Sequence, residues 1–197
     1  MLRLWNVFYG TFHFIVTGGA LLWVYRRFPV SYRKWRNTLA FTTALALLGF
    51  VLYPLMPPRL LTACTEFGQC LAGYGYVDTL REVGGLWSFE SEGMEAVSRP
   101  SCAAQLPSLH FAWSLWSCFV LYPHVRQAPG PAPCAVAYPV ATLFAIVVTG
   151  NHYWIDAVGG ALILAVGYVL GVALTRWTDR RRSRRTGTAA PDLQLRA

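Results

Sequence analysis

Charge is missing from this chain in long, unbroken stretches. No Asp, Glu, Lys or Arg occurs between Arg36 and Arg59, and comparable stretches recur toward both ends of the sequence. Roughly 20 consecutive apolar residues are enough to cross the hydrocarbon core of a bilayer. Five such spans are expected, at about Leu4–Tyr25, Thr38–Met56, Pro107–Tyr122, Cys134–Thr149 and His152–Leu174. Charged residues make up 13% of the chain and hydrophobic ones 55%, whereas soluble domains carry about a quarter charged residues. The expected fold class is therefore all-α. It is a polytopic membrane helix bundle of about five transmembrane helices, with an extracytoplasmic loop between the second and third.

The breaks between spans are polar or rich in proline. Arg33-Lys34-Trp35-Arg36-Asn37 lies in a polar connection, Pro57-Pro58-Arg59 ends the second span, and Pro129-Gly130-Pro131 marks a tight loop. Consecutive prolines remove backbone donors and cannot continue a helix. Residues 1–175 form the expected membrane domain, and 176–197 a basic cytoplasmic tail without regular structure. Of the 17 Lys and Arg residues, thirteen fall in the 26–36 connection, the 123–133 loop and the tail. Cytoplasmic loops carry the excess of Lys and Arg, so these segments face the cytoplasm. The N-terminus and the 59–106 segment then face outward.

A net charge of +8 does not point to nucleic acid, because the basic residues sit in short blocks beside apolar runs. The run starting near Met1 is too long and too aromatic for a cleavable signal peptide. An outward N-terminus with an odd number of spans leaves open whether a further helix precedes it. Cys64, Cys70 and Cys102 fall outside, where a disulfide can persist. Cys64 with Cys70 is the simplest pairing, and three free thiols are the alternative.

Ionisable residues inside a membrane are costly and are functional candidates by default. Asp156 lies one helical turn from His152, so both side chains are expected on one helix face. A carboxylate there can fix one imidazole nitrogen and leave the other free to attack. Pro107-Ser108-Leu109-His110 opens the third span, with the proline pre-setting the first turn and the helix N-terminus offering amides to an anion. His110 could donate a proton to a departing oxygen. Both histidines begin inward-running spans and are expected at the same depth on the same face. Arg59 ends the second span at that level, where a guanidinium could clamp a phosphate. His13 and Asn6, in the outer half of the first span, could line the same cavity. A structural His–Asp pair, an interfacial Arg59 and a buried, satisfied His13 are the competing plain readings. Gly167 and Gly171 have the spacing that permits close helix packing.

The order Arg59, Pro107-Ser108-Leu109-His110 and Gly150-Asn151-His152-Tyr153-Trp154-Ile155-Asp156 resembles the type 2 phosphatidic acid phosphatase superfamily. The resemblance covers roughly residues 38 to 175 and is nearest to the branch of inositol phosphorylceramide synthase-like proteins. It implies a membrane lipid-phosphate phosphatase or phosphotransferase working through a phosphohistidine. His152 would be the nucleophile, Asp156 its support and His110 the acid, with Arg59 and Ser108 binding phosphate. No metal or cofactor is implied. The chain departs from the family pattern at Leu52 and Leu60 around Arg59. It also departs at Ala145 and Ile146, where the family usually has Ser-Arg. Arg99 is a second candidate for the phosphate.

The expected partners are a lipid-phosphate substrate and membrane lipids, with no nucleic acid and an open oligomeric state. The expected location is a bacterial plasma membrane with the site facing outward. The rival classes are a metal-dependent membrane hydrolase with His110, His152 and Asp156 as ligands, and a non-catalytic helix bundle.

Overall fold

The computed structural model describes residues 1–53, 57–58, 79–85, 106–126 and 131–186. Among these residues the fold is all-helical. The helices are α1 (Leu2–Arg27), α2 (Pro29–Leu52), the five-residue α3 (Thr79–Val83), α4 (Leu109–Val125), α5 (Pro131–Val148) and α6 (Trp154–Thr186). Three of them, α1, α2 and α6, are long and apolar enough to cross a membrane.

The distribution of polarity is that of a bundle made for lipid. Large apolar side chains point outward, with Val51 79%, Val169 65% and Leu162 63% exposed, while Thr38, Thr42, Ser114, Ser117 and Asp156 are each at 0%. In water the hydrophobic effect would select the reverse. With lipid outside, apolar groups gain nothing by facing inward, and helices associate through small residues and polar contacts.

The α2–α6 pair shows this packing from Thr42 and Gly167 toward the basic ends. A Cβ on Gly171 would stand 2.6 Å from the Thr38 amide nitrogen, and one on Gly167 2.9 Å from that of Thr42. The two glycines expected to permit close packing therefore do so against a Thr-x-x-x-Thr face. Further along, Asn37 Nδ2 donates to Thr175 Oγ1 at 3.0 Å, and Arg33 reaches Thr178 Oγ1 at 2.9 Å and pairs with Asp179. Residue numbers rise on one helix as they fall on the other, so the pair is antiparallel.

Two boundaries differ from expectation. The polar connection before the second span is helical, and only Phe28 separates α1 from α2. Pro29 occupies the start of α2, where its fixed φ suits a first turn, and no glycine or proline follows until Gly49. The basic tail is also helical as far as Thr186. Arginine is a good helix former, cations suit a helix C-terminus, and Asp179 is held by Arg33 while Arg181 lies 3.8 Å over the Trp177 ring.

The apolar core of Ala20, Val24, Trp116, Val120 and Leu164 fills the half of the bundle nearer these basic ends. Trp116 Nε1 donates to the Trp35 carbonyl at 3.1 Å, tying α4 to α2. The opposite half contains the polar cluster that forms the site.

Candidate active site

His152 is delivered by the end of α5. Gly150 has φ 68°, a left-handed conformation that only glycine adopts without strain. Its amide donates to Val147 O at 3.0 Å, and the Asn151 amide donates to Ile146 O at 3.2 Å. This is the Schellman closure of a helix C-terminus. The same Ile146 carbonyl also accepts from the His152 amide at 3.0 Å. The backbone carrying His152 is thus fixed before its side chain makes any contact.

His152 is not helical, since α6 begins at Trp154. The expected one-face alignment with Asp156 is replaced by a capping arrangement. Asp156 occupies the third position of α6, and its Oδ2 accepts from the Tyr153 amide at 2.9 Å, the carboxylate half of a capping box. The same oxygen meets His152 Nδ1 at 3.2 Å. A carboxylate accepts, so Nδ1 carries the hydrogen and Nε2 presents a lone pair. Asp156 Oδ1 is buried without a partner among the described residues. Leaving a buried acceptor unsatisfied costs roughly 1–3 kcal/mol, and such a cost is retained where a site needs it.

The second histidine arrives on α4. Ser108 caps this helix, its Oγ accepting from the Phe111 amide at 3.4 Å, and it is fully buried. Pro107 therefore precedes the cap instead of opening the helix. It wedges between α2 and α6: a Cβ on Gly49 would come 2.6 Å from Pro107 Cδ, and one on Gly159 3.1 Å from Pro107 Cβ. The Ser108 amide donates to the Asp156 carbonyl at 2.9 Å, and a Cβ on Gly160 would lie 2.5 Å from Ser108 O. The two helix starts are thus bound main chain to main chain. His110 and His152 consequently meet, with ring centroids 5.7 Å apart.

Helix α1 completes the enclosure with His13 and Asn6, which the sequence offered as possible cavity residues, and with Tyr9, which it did not single out. Tyr9 stacks on His110 at 4.2 Å with a 25° interplanar angle, and His13 meets the same ring edge-on at 4.2 Å. His13 Nδ1 lies 2.9 Å from the Tyr9 carbonyl, so it donates there and its Nε2 is left as an acceptor. His13 is buried and satisfied through Nδ1, and it also lines the site against His110. Asn6 Nδ2 donates to Thr79 O at 3.0 Å and Gly84 O at 3.1 Å. Thr79 Oγ1 donates to Thr149 O at 2.8 Å, which seats α3 beside the turn that carries His152. The signal for these residues was a stripe of polar side chains, at 6, 9, 13 and 17, on an otherwise apolar helix.

Arg59 and Arg99, the candidate phosphate clamps, lie outside the described residues, as do Cys64, Cys70 and Cys102. Among the described residues, no group of three His, Cys, Asp or Glu side chains is placed to hold a metal ion.

The site thus holds an oriented imidazole, a second imidazole beside it and a helix N-terminus, enclosed in a bundle with a lipid-facing exterior. A family model described as the PAP2 superfamily matches residues 1–170, and the chain belongs to that superfamily. Its members are phosphatases or phosphotransferases. No curated protein and no solved structure matches the chain significantly.

Proposed function

We propose that the chain is a metal-independent phosphatase or phosphotransferase acting on lipid phosphates through a phosphohistidine. The observation that carries this reading is the His152–Asp156 contact at 3.2 Å with the His110 ring 5.7 Å away. Nε2 of His152 attacks phosphorus and the ester oxygen leaves with a proton from His110. Asp156 stabilises the positive charge that develops on the His152 ring. The Ser108 hydroxyl proton, the free amides at the start of α4 and Arg59 offset charge on the phosphoryl oxygens. Water or an acceptor alcohol then attacks the phosphohistidine and returns His152 to its starting form.

Sidedness follows from charge. The site is at one end of α6 and the arginines from Arg176 to Arg185 are at the other. Basic ends face the cytoplasm, which supports a site that faces outward and takes its lipid from the outer leaflet; the membrane of this reading is a bacterial plasma membrane. Ala145 and Ile146, buried where the family usually has Ser-Arg, favour the synthase-like branch.

The test is phosphate release from a panel of lipid phosphates in detergent with chelator present, comparing wild type with His152→Ala. Release by wild type and none by the variant, at equal protein abundance, is the expected result. Activity retained by His152→Ala would remove His152 as nucleophile. Activity abolished by chelator would replace the reading with a metal-dependent one.

A further inference from the structure

Beside His110 is a small cavity walled mostly by residues outside the family motifs. It lies between α1, α4 and α5, and its walls include Tyr9, His13, His110, Tyr138, Thr142 and Ile146. Its volume is about 10 Å³, which is room for about one water molecule. No lipid headgroup fits there.

The polar groups on its walls suit such an occupant. The Tyr138 hydroxyl is buried and has no partner among the described residues. The Thr142 hydroxyl proton goes to the Tyr138 carbonyl at 2.9 Å, so Thr142 can offer the Tyr138 hydroxyl a lone pair but no proton. His13 is committed through Nδ1 to the Tyr9 carbonyl, so Nε2 is its available acceptor. A buried water requires two to four polar partners, and Tyr138, His13 and His110 supply three.

We propose that this cavity is the seat of the attacking hydroxyl, held by Tyr138 and His13 and activated by His110. The inference rests on the phosphohistidine reading above. Having given its proton to the leaving alcohol, neutral His110 takes a proton from the seated hydroxyl. The oxygen bonds to phosphorus, the phosphorus–nitrogen bond to His152 breaks, and its electron pair returns to Nε2. The oxygen belongs to water, or to an alcohol whose carbon skeleton remains outside the cavity. Tyr138 and His13 thus join the site from positions outside the motifs that carry the resemblance.

The experiment separates formation of the phosphoenzyme from its breakdown. Purified wild type and Tyr138→Phe are mixed rapidly with a lipid phosphate, and acid-labile protein-bound phosphate is followed in time. Tyr138→Phe, which deletes one oxygen, should form the phosphoenzyme within about twofold of the wild-type rate and break it down roughly tenfold more slowly, so that the intermediate accumulates. Methanol added to the reaction divides the two sources. Slowing of both phosphate and methyl phosphate release marks a shared hydroxyl seat, and slowing of one assigns the seat to that source.

Breakdown at the wild-type rate by both routes would overturn the proposal. Absence of any phosphoenzyme in wild type would instead remove the underlying reading. Independently of turnover, an experimental density map that shows waters should place one within hydrogen-bond reach of the Tyr138 hydroxyl. A dry cavity there would also overturn it.

Discussion

Asp156 is a buried carboxylate with one oxygen used twice and the other not at all among the described residues. Its two bonds serve different ends, since one starts a helix and the other sets the tautomer of His152. Asp156→Asn separates them. An amide oxygen can still cap Tyr153, but it cannot offset a developing imidazolium. Turnover should fall by about 10²–10⁴-fold, as when the carboxylate of a catalytic triad is neutralised, while the helical circular-dichroism signal stays unchanged. A fall below tenfold would make Asp156 a structural cap. His152, Asp156 and His110 were legible in the sequence because charge and imidazole are rare among apolar residues. Tyr9 and Tyr138 were not, because aromatic side chains at helical spacing look the same whether they face lipid or a cavity.

The glycines act at the level of helices and turns. Gly150→Ala places a Cβ in a left-handed turn, at a cost of about 1–2 kcal/mol, and loosens the closure that presents His152. The expected result is a lower thermal midpoint in detergent with activity reduced at temperatures where the protein is still folded. Gly171→Leu overfills the contact with Thr38, and overpacking costs about 1–3 kcal/mol. It should lower the midpoint by several degrees, whereas Leu162→Ala on the lipid side should leave it nearly unchanged. Equal effects of the two would sink the α2–α6 packing account. Helix positions were readable from apolar runs, but their ends were less so. The basic stretches around Arg33 and Arg180 read as connection and tail because charge normally marks a loop in a membrane chain. They are helical because Arg33, Asp179 and Thr178 satisfy one another across two helices.

For the molecule as a whole, the site and the basic ends are far apart. Asp156 and Asp179 lie on one helix, which rises about 1.5 Å per residue, so roughly 35 Å separates them. The hydrocarbon core is about 30 Å thick, and the two ends should therefore emerge on opposite faces. In a chain whose five cysteines are replaced by serine, Val83→Cys should react with an impermeant thiol reagent from outside, and Arg184→Cys only after permeabilisation. Labelling of both from one side would remove the spanning arrangement.

The amide of Ser108 and the carbonyl of Asp156 have a different consequence, concerning which mutations a lineage can tolerate. Neither group belongs to a side chain, so the bond by itself excludes only proline at 108 and leaves the choice of side chains there to their own contacts. Inserting or deleting a single residue between Gly150 and Gly160 does not, because each residue added to a helix turns everything after it by about 100°. Drift among homologues should therefore be nearly nil in the length of this stretch, and free in identity only at outward-facing positions such as Ile155 and Val158.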